Sequence, residues 1–267
     1  MNREQNAETL NSGQHNATIL DQFTRQAAPF ATAPVIRNQE ILDRILQMAE
    51  PQGDDTVLDV ACGPGLLTCA FAHVVRQATG IDLTPAMLEQ AKLVQREQDL
   101  SNVTWETGDA TALPYKDGEF SLVTTRFSFH HFLDPLSVLK EMRRVCRPGG
   151  KVVVTDSAPA PSKAAAFDAV ETLRDPSHVH ALPIDTLCTL FAEAGLDQPR
   201  VGTYRLEGDL DDLLERSFPN EGDEARVRRM FEDSLQEDAL DLATRQVHGK
   251  IFYGFPIAIL AATNSNN

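Results

Sequence analysis

Basic residues are scarce in this chain. Its 267 residues hold 24 Lys plus Arg against 39 Asp plus Glu, a formal charge of −15. Such a field repels nucleic acid and anionic membrane surfaces, so neither is expected as a partner. Cysteine is scarce too. Cys62, Cys69, Cys146 and Cys188 show no paired spacing, which argues against a disulfide framework and points to reduced thiols in a soluble, cytoplasmic protein. No apolar run approaches a membrane span, and Met1 to Gln14 is polar throughout, unlike a secretory leader. Internal repeats are absent. No Cys or carboxylate cluster completes a metal site around the alternating His178 and His180, so no metal is expected. The length suits one large α/β domain with additions.

What is present is most informative at Val57-Leu58-Asp59-Val60-Ala61-Cys62-Gly63-Pro64-Gly65, where a buried apolar strand runs into an acidic loop with two glycines. Gly63 and Gly65 allow conformations and a close approach that a Cβ would block, and Leu66 to Val75 continues as an apolar-periodic helix. A dinucleotide fingerprint needs a third glycine and an uncharged loop. Here Leu66, Leu67 and Thr68 follow, and Asp59 lies four residues before the first glycine. A carboxylate there repels a pyrophosphate but suits a ligand carrying an ammonium and a sulfonium.

Two more acids sit at strand ends. Ala78 to Leu83 reads as a second strand reaching Asp82, with Pro85 opening the helix Ala86 to Gln98. An acid there is the usual partner of vicinal ribose hydroxyls, although helix capping is an alternative role that Thr84 can fill instead. The third is Asp109, where the alternating strand from Val103 meets a Gly-Asp turn. It can accept an adenine's exocyclic amine while Ala110 offers its backbone N–H to the ring.

With these residues the chain resembles class I S-adenosylmethionine-dependent methyltransferases, closest to the small-molecule branch that includes ubiquinone and menaquinone biosynthesis enzymes. The likeness spans roughly residues 20 to 155. It includes Phe120 to Phe132 with its His130-His131 pair, and Glu141 to Lys151 with its Pro-Gly-Gly turn before the strand Lys151 to Asp156. The resemblance implies a Rossmann-like α/β fold: a seven-stranded, mostly parallel sheet, helices on both faces and a helical cap. It also implies S-adenosylmethionine as cofactor. Ala61, Gly63 and Gly65 would line its methionine part, with Asp59 near the ammonium and Asp82 on the ribose. Leu83 and Met87 would pack on the adenine, and Asp109 with Ala110 would read its edge. Arg126 would sit beside the cofactor at the mouth of the acceptor pocket, bind an anionic acceptor, or pair with Asp59 or Asp82.

Around that core, residues 1–16 read as a disordered tail and 17–50 as a helical lid. Its helices, Ile19 to Ala28 and Ile36 to Glu50, are split at Pro29 and Pro34. The cofactor core is 51–156, and 157–184 is a cap insertion over the acceptor pocket, with a helix Ala164 to Leu173. Residues 185–267 complete the core through helix Asp185 to Ala194 and strand Arg200 to Leu206. A helical insertion at about 209–245 follows, with helices at Asp209 to Arg216 and Asp223 to Leu242. Strand Ile251 to Ala262 comes last, bent or turned back at Gly254 and Pro256. The expected reaction is in-line displacement at the cofactor's methyl carbon by a small organic acceptor, served by positioning and exclusion of water. A hydroxyl or thiol acceptor gains from a neutral-pKa base, so His130, His131 and His178 are the catalytic candidates. Alternatives are a same-fold enzyme using the sulfonium for another reaction, a nicotinamide-binding oxidoreductase, or a non-catalytic module.

Overall fold

The computed structural model describes residues 12–265. The chain opens with α1 (Ser12–Thr32) and α2 (Gln39–Ala49), then alternates β1 (Thr56–Val60), α3 (Leu66–Ala72), β2 (Gln77–Asp82), α4 (Pro85–Glu97), β3 (Val103–Thr107) and β4 (Phe120–Arg126). A 3-10 turn (Phe129–His131) leads to α5 (Pro135–Val145), β5 (Cys146–Ser157), α6 (Ala164–Arg174), α7 (Ile184–Glu193) and β6 (Arg200–Asp209). The last elements are α8 (Leu210–Glu215), α9 (Asp223–Glu237), β7 (Arg245–Val247) and β8 (Lys250–Thr263). Among the described residues no helix is long and apolar enough to cross a membrane.

The strands form one sheet in the order β3-β2-β1-β4-β5-β8-β6, with short β7 paired only to β8. β1 to β5 pair in parallel, whereas β8 runs antiparallel to β5, β6 and β7. The central strands are buried on both faces. On β1, Val57 joins the core under α2 and α3, while Leu58 and Val60 join the core under α5 and α7, as an apolar run in a doubly covered parallel sheet must. The order reverses direction between β1 and β4, so the loops leaving their carboxyl ends diverge and open a crevice. β8 also outruns β5: Ser157, the last residue of β5, pairs with Ile257, so Tyr253 to Pro256 project about 13 Å past it.

Several local expectations differ from the structure. Ser12 to Asn16 belong to α1 rather than to a tail; residues 1–11 lie outside the described residues. α1 runs through Pro29 to Thr32, because a proline near a helix's last turn removes only one bond and Phe30 packs on the core. The Pro-Gly-Gly segment is drawn into β5 with a register shift against β4. β8 is continuous through Gly254 and Pro256, and its hairpin lies earlier, where His248 and Gly249 take positive φ between β7 and β8. α9 stops at Glu237, because left-handed Asp238 caps it by donating its N–H to the Ser234 carbonyl.

Candidate functional site

The loop after β1 shows why each residue type stands where it does. Asp59 shares the face of Val57 and is buried; its Oδ2 accepts a 2.6 Å bond from the Thr68 hydroxyl on α3, while Oδ1 has no partner among the described residues. Burial pushes its pKa up to about 7, against the opposing pull of Thr68 and Arg126. Ala61 adopts φ 53° without being glycine, a local strain that costs about 1–2 kcal/mol. A Cβ on Gly65 would lie 2.3 Å from the Trp105 ring. This glycine seats α3 against β3 and is not among the residues lining the cavity. Gly63 has open space where its Cβ would be.

Asp82 ends β2, with Oδ2 accepting from the Gly63 N–H and Oδ1 from the Thr84 N–H, both at 2.8 Å. These bonds leave lone pairs on a carboxylate whose direction is fixed. Its pKa is raised by burial, against those two N–H groups. Asp109 accepts from the Thr111 N–H and hydroxyl through Oδ1, and from Asn16 of α1 through Oδ2 at 3.2 Å.

These elements enclose a cavity of about 260 Å³ at the carboxyl ends of β1, β2 and β4. Asp59, Ala61, Gly63, Asp82, Leu83, Met87, Asp109, Ala110, Arg126 and His131 all line it; Gly65, His130 and His178 do not. Arg126 is half-buried, and desolvation lowers its pKa. Its Nη2 donates to the Ile36 carbonyl at 3.2 Å, its guanidinium stacks 4.5 Å from the Phe127 ring, and its Nε has no hydrogen-bond partner among the described residues. Ser12, His15, Asn16, Ile19 and Phe23 of α1 form the roof, and His15 bonds to the His131 carbonyl at 2.7 Å.

The histidines part company. His130 lines a second cavity of about 90 Å³, and its Nδ1 lies 2.5 Å from Asp156 Oδ1. Asp156 also accepts the Phe129 and Ser157 N–H groups, and although burial opposes its charge, His130 helps keep its pKa low. An ionised Asp156 only accepts, so His130 Nδ1 carries the proton and Nε2 keeps the ring's basic lone pair. Burial disfavours the His130 cation, yet Asp156 outweighs it and the His130 pKa is raised. His131 touches both cavities, but its Nδ1 is engaged by the Ser177 carbonyl, and burial plus the neighbouring His130 push its pKa down. His178 is buried against Asp168 at 2.8 Å and lines neither cavity, although its ring lies 5.4 Å from that of His130. Asp156 and Asn16 escaped the sequence reading. The acid closing an otherwise apolar strand was the available signal for Asp156; Asn16 carries none.

The sheet order and the crevice at its switch point are those of a Rossmann-like fold. Residues 58–154 match the family described as "Methyltransferase domain". The chain is similar to the uncharacterized methyltransferase YcgJ of Bacillus subtilis, 29% identical over 73% of this chain and 78% of that protein. The YcgJ crystal structure superposes with a TM-score of 0.78 over 86% of this chain and 100% of that one. A demethylmenaquinone methyltransferase of Staphylococcus epidermidis is 38% identical over 43% of this chain, which spans 48% of that enzyme.

Proposed function

We propose that the larger cavity holds S-adenosylmethionine and the adjoining smaller one a small organic acceptor, with 17–50 as lid and 157–184 as cap. The observation that carries this reading is a pair of buried polar atoms on one cavity wall, Asp59 Oδ1 and Arg126 Nε, that have no hydrogen-bond partner within 3.5 Å among the described residues. Unpartnered buried polar atoms cost about 1–3 kcal/mol each, more when charged, and the ammonium and carboxylate of an amino acid satisfy both. Asp82 offers its oriented oxygens to the ribose hydroxyls. Asp109 and Ala110 take the adenine edge, with Leu83 and Met87 against the ring. Gly63, with no Cβ, and Ala61 let backbone approach the ligand.

The cofactor supplies a methyl carbon already activated by a sulfonium. The protein's share is therefore positioning, exclusion of water by α1, and proton removal. His130, held by Asp156, receives the acceptor's proton at Nε2. Relatives named for demethylmenaquinone support an organic acceptor, and the unbridged thiols suit a reducing, cytoplasmic setting. Incubation with S-adenosylmethionine and a panel of hydroxylated aromatic and aliphatic compounds, followed by mass spectrometry, tests the reading. A one-methyl gain that His130→Gln largely abolishes is expected; an undiminished gain in that variant rules out the base.

A further inference from the structure

The smaller cavity has a second polar end, remote in sequence from His130. Its wall is the part of β8 that projects past β5, where Tyr253 and Phe255 share a face with ring centroids 4.8 Å apart. Two guanidiniums border this apolar wall, and their charges are met differently. Arg174 is held by both oxygens of Glu171 at 2.8 and 2.6 Å, so its charge is cancelled in place. Arg216 donates only to neutral oxygens, the Asp212 carbonyl at 2.9 Å and the Tyr253 hydroxyl at 3.0 Å. Among the described residues it makes no ion pair within 4.0 Å, so one positive charge on this wall lacks a contacting counter-charge.

The Tyr253 hydroxyl is built into place. Gly208, its ladder partner on β6, has no Cβ, and one there would lie 2.5 Å from the phenolic oxygen. The phenol accepts from Arg216 and so keeps its own proton to give. A guanidinium and a phenolic O–H side by side on a phenylalanine-rich wall form a donor pair for one singly charged anion.

We propose that Arg216 and Tyr253 bind the carboxylate of the acceptor, which is an apolar carboxylic acid whose reacting atom lies toward His130. This deepens the methyl-transfer reading and rests on it for the acceptor's role, whereas the anion site stands on its own residues. A carboxylate fits better than a phosphate dianion because a single unmatched charge is on offer.

Calorimetry of the full chain with octanoate, octanamide and octanol, with and without S-adenosylhomocysteine, tests it. Octanoate is expected to bind at least tenfold more tightly than either neutral analogue. Arg216→Met should erase that preference while leaving S-adenosylhomocysteine affinity unchanged, and Arg216→Lys should restore part of it. Tyr253→Phe, which keeps the ring packing, should reduce the preference several-fold and serves as the comparison if Arg216→Met does not fold. Equal binding of acid and amide, no binding of octanoate, or a preference that survives these substitutions overturns the assignment. Failure of S-adenosylhomocysteine to bind strikes the cofactor reading alone, since the acid-to-amide comparison is read in its absence as well.

Discussion

Two titrating residues set the pH behaviour. His130 acts as a base only when neutral, and its pKa is raised by Asp156 against burial. Turnover should therefore climb with pH along a limb above the ordinary histidine value of about 6.5. Asp156→Asn should move that limb down and lower kcat, and His130→Gln should cost on the order of 100-fold or more. A pH–rate profile unmoved by Asp156→Asn would contradict the pairing. The same pair stabilises the fold fully below about pH 6.5 and loses that contribution as pH rises through the higher folded value. Asp59 also has a folded pKa above its unfolded one, reaching about 7. Its ionisation in the empty fold is unfavourable, a penalty absent below about pH 4 and complete above about pH 7. A bound ammonium relieves it, so S-adenosylmethionine should bind more tightly as pH rises through about 7, and calorimetry of Asp59→Asn should show that slope flattened. The three strand-end aspartates were readable because strand, acid and turn are contiguous in sequence. The His130–Asp156 and Asn16–Asp109 contacts span 26 and 93 positions, and only the folded sheet brings them together.

Among the elements, the β1–α3 turn is the most tightly constrained. Gly65 combines φ 73° with a Trp105 ring 2.3 Å from where a Cβ would stand. Gly65→Ala should cost roughly 2–4 kcal/mol from overpacking and left-handed strain together, measured by urea denaturation. A loss under about 0.5 kcal/mol, the usual range of a surface change, would show that the turn yields. The alternation of strands and helices from Val57 to Val145 was legible for the same local reasons, with ends shifted by a few residues. Tertiary contacts decided the rest. Phe30 packing carries α1 through Pro29, and the pairing of β6 with β8 continues across Pro256 and keeps β8 in one piece. For Gly65, sequence shows that a glycine is needed there without showing that Trp105 also requires it.

At the scale of the molecule, the fold gathers three carboxylates, a half-buried guanidinium and a helical roof around one crevice, and the diverging loops after β1 and β4 make that crevice. The roof is tied down through His15 and Asn16. Asn16→Ala should weaken cofactor binding by only a few-fold, as for one exposed-edge hydrogen bond of about 0.5–1.5 kcal/mol; calorimetry showing a hundredfold loss would instead make α1 a principal binding element. The central claim is that the acidic crevice recognises an adenosyl amino acid and rejects a pyrophosphate. Titration calorimetry with S-adenosylhomocysteine and with NAD, on the parent and on Asp82→Asn, tests it most directly. Stoichiometric binding of S-adenosylhomocysteine, at least tenfold weaker in the variant, and no heat from NAD are expected, since each charge-assisted bond is worth about 1.5–3 kcal/mol. Binding of NAD in preference, or unchanged affinity in Asp82→Asn, would contradict the account.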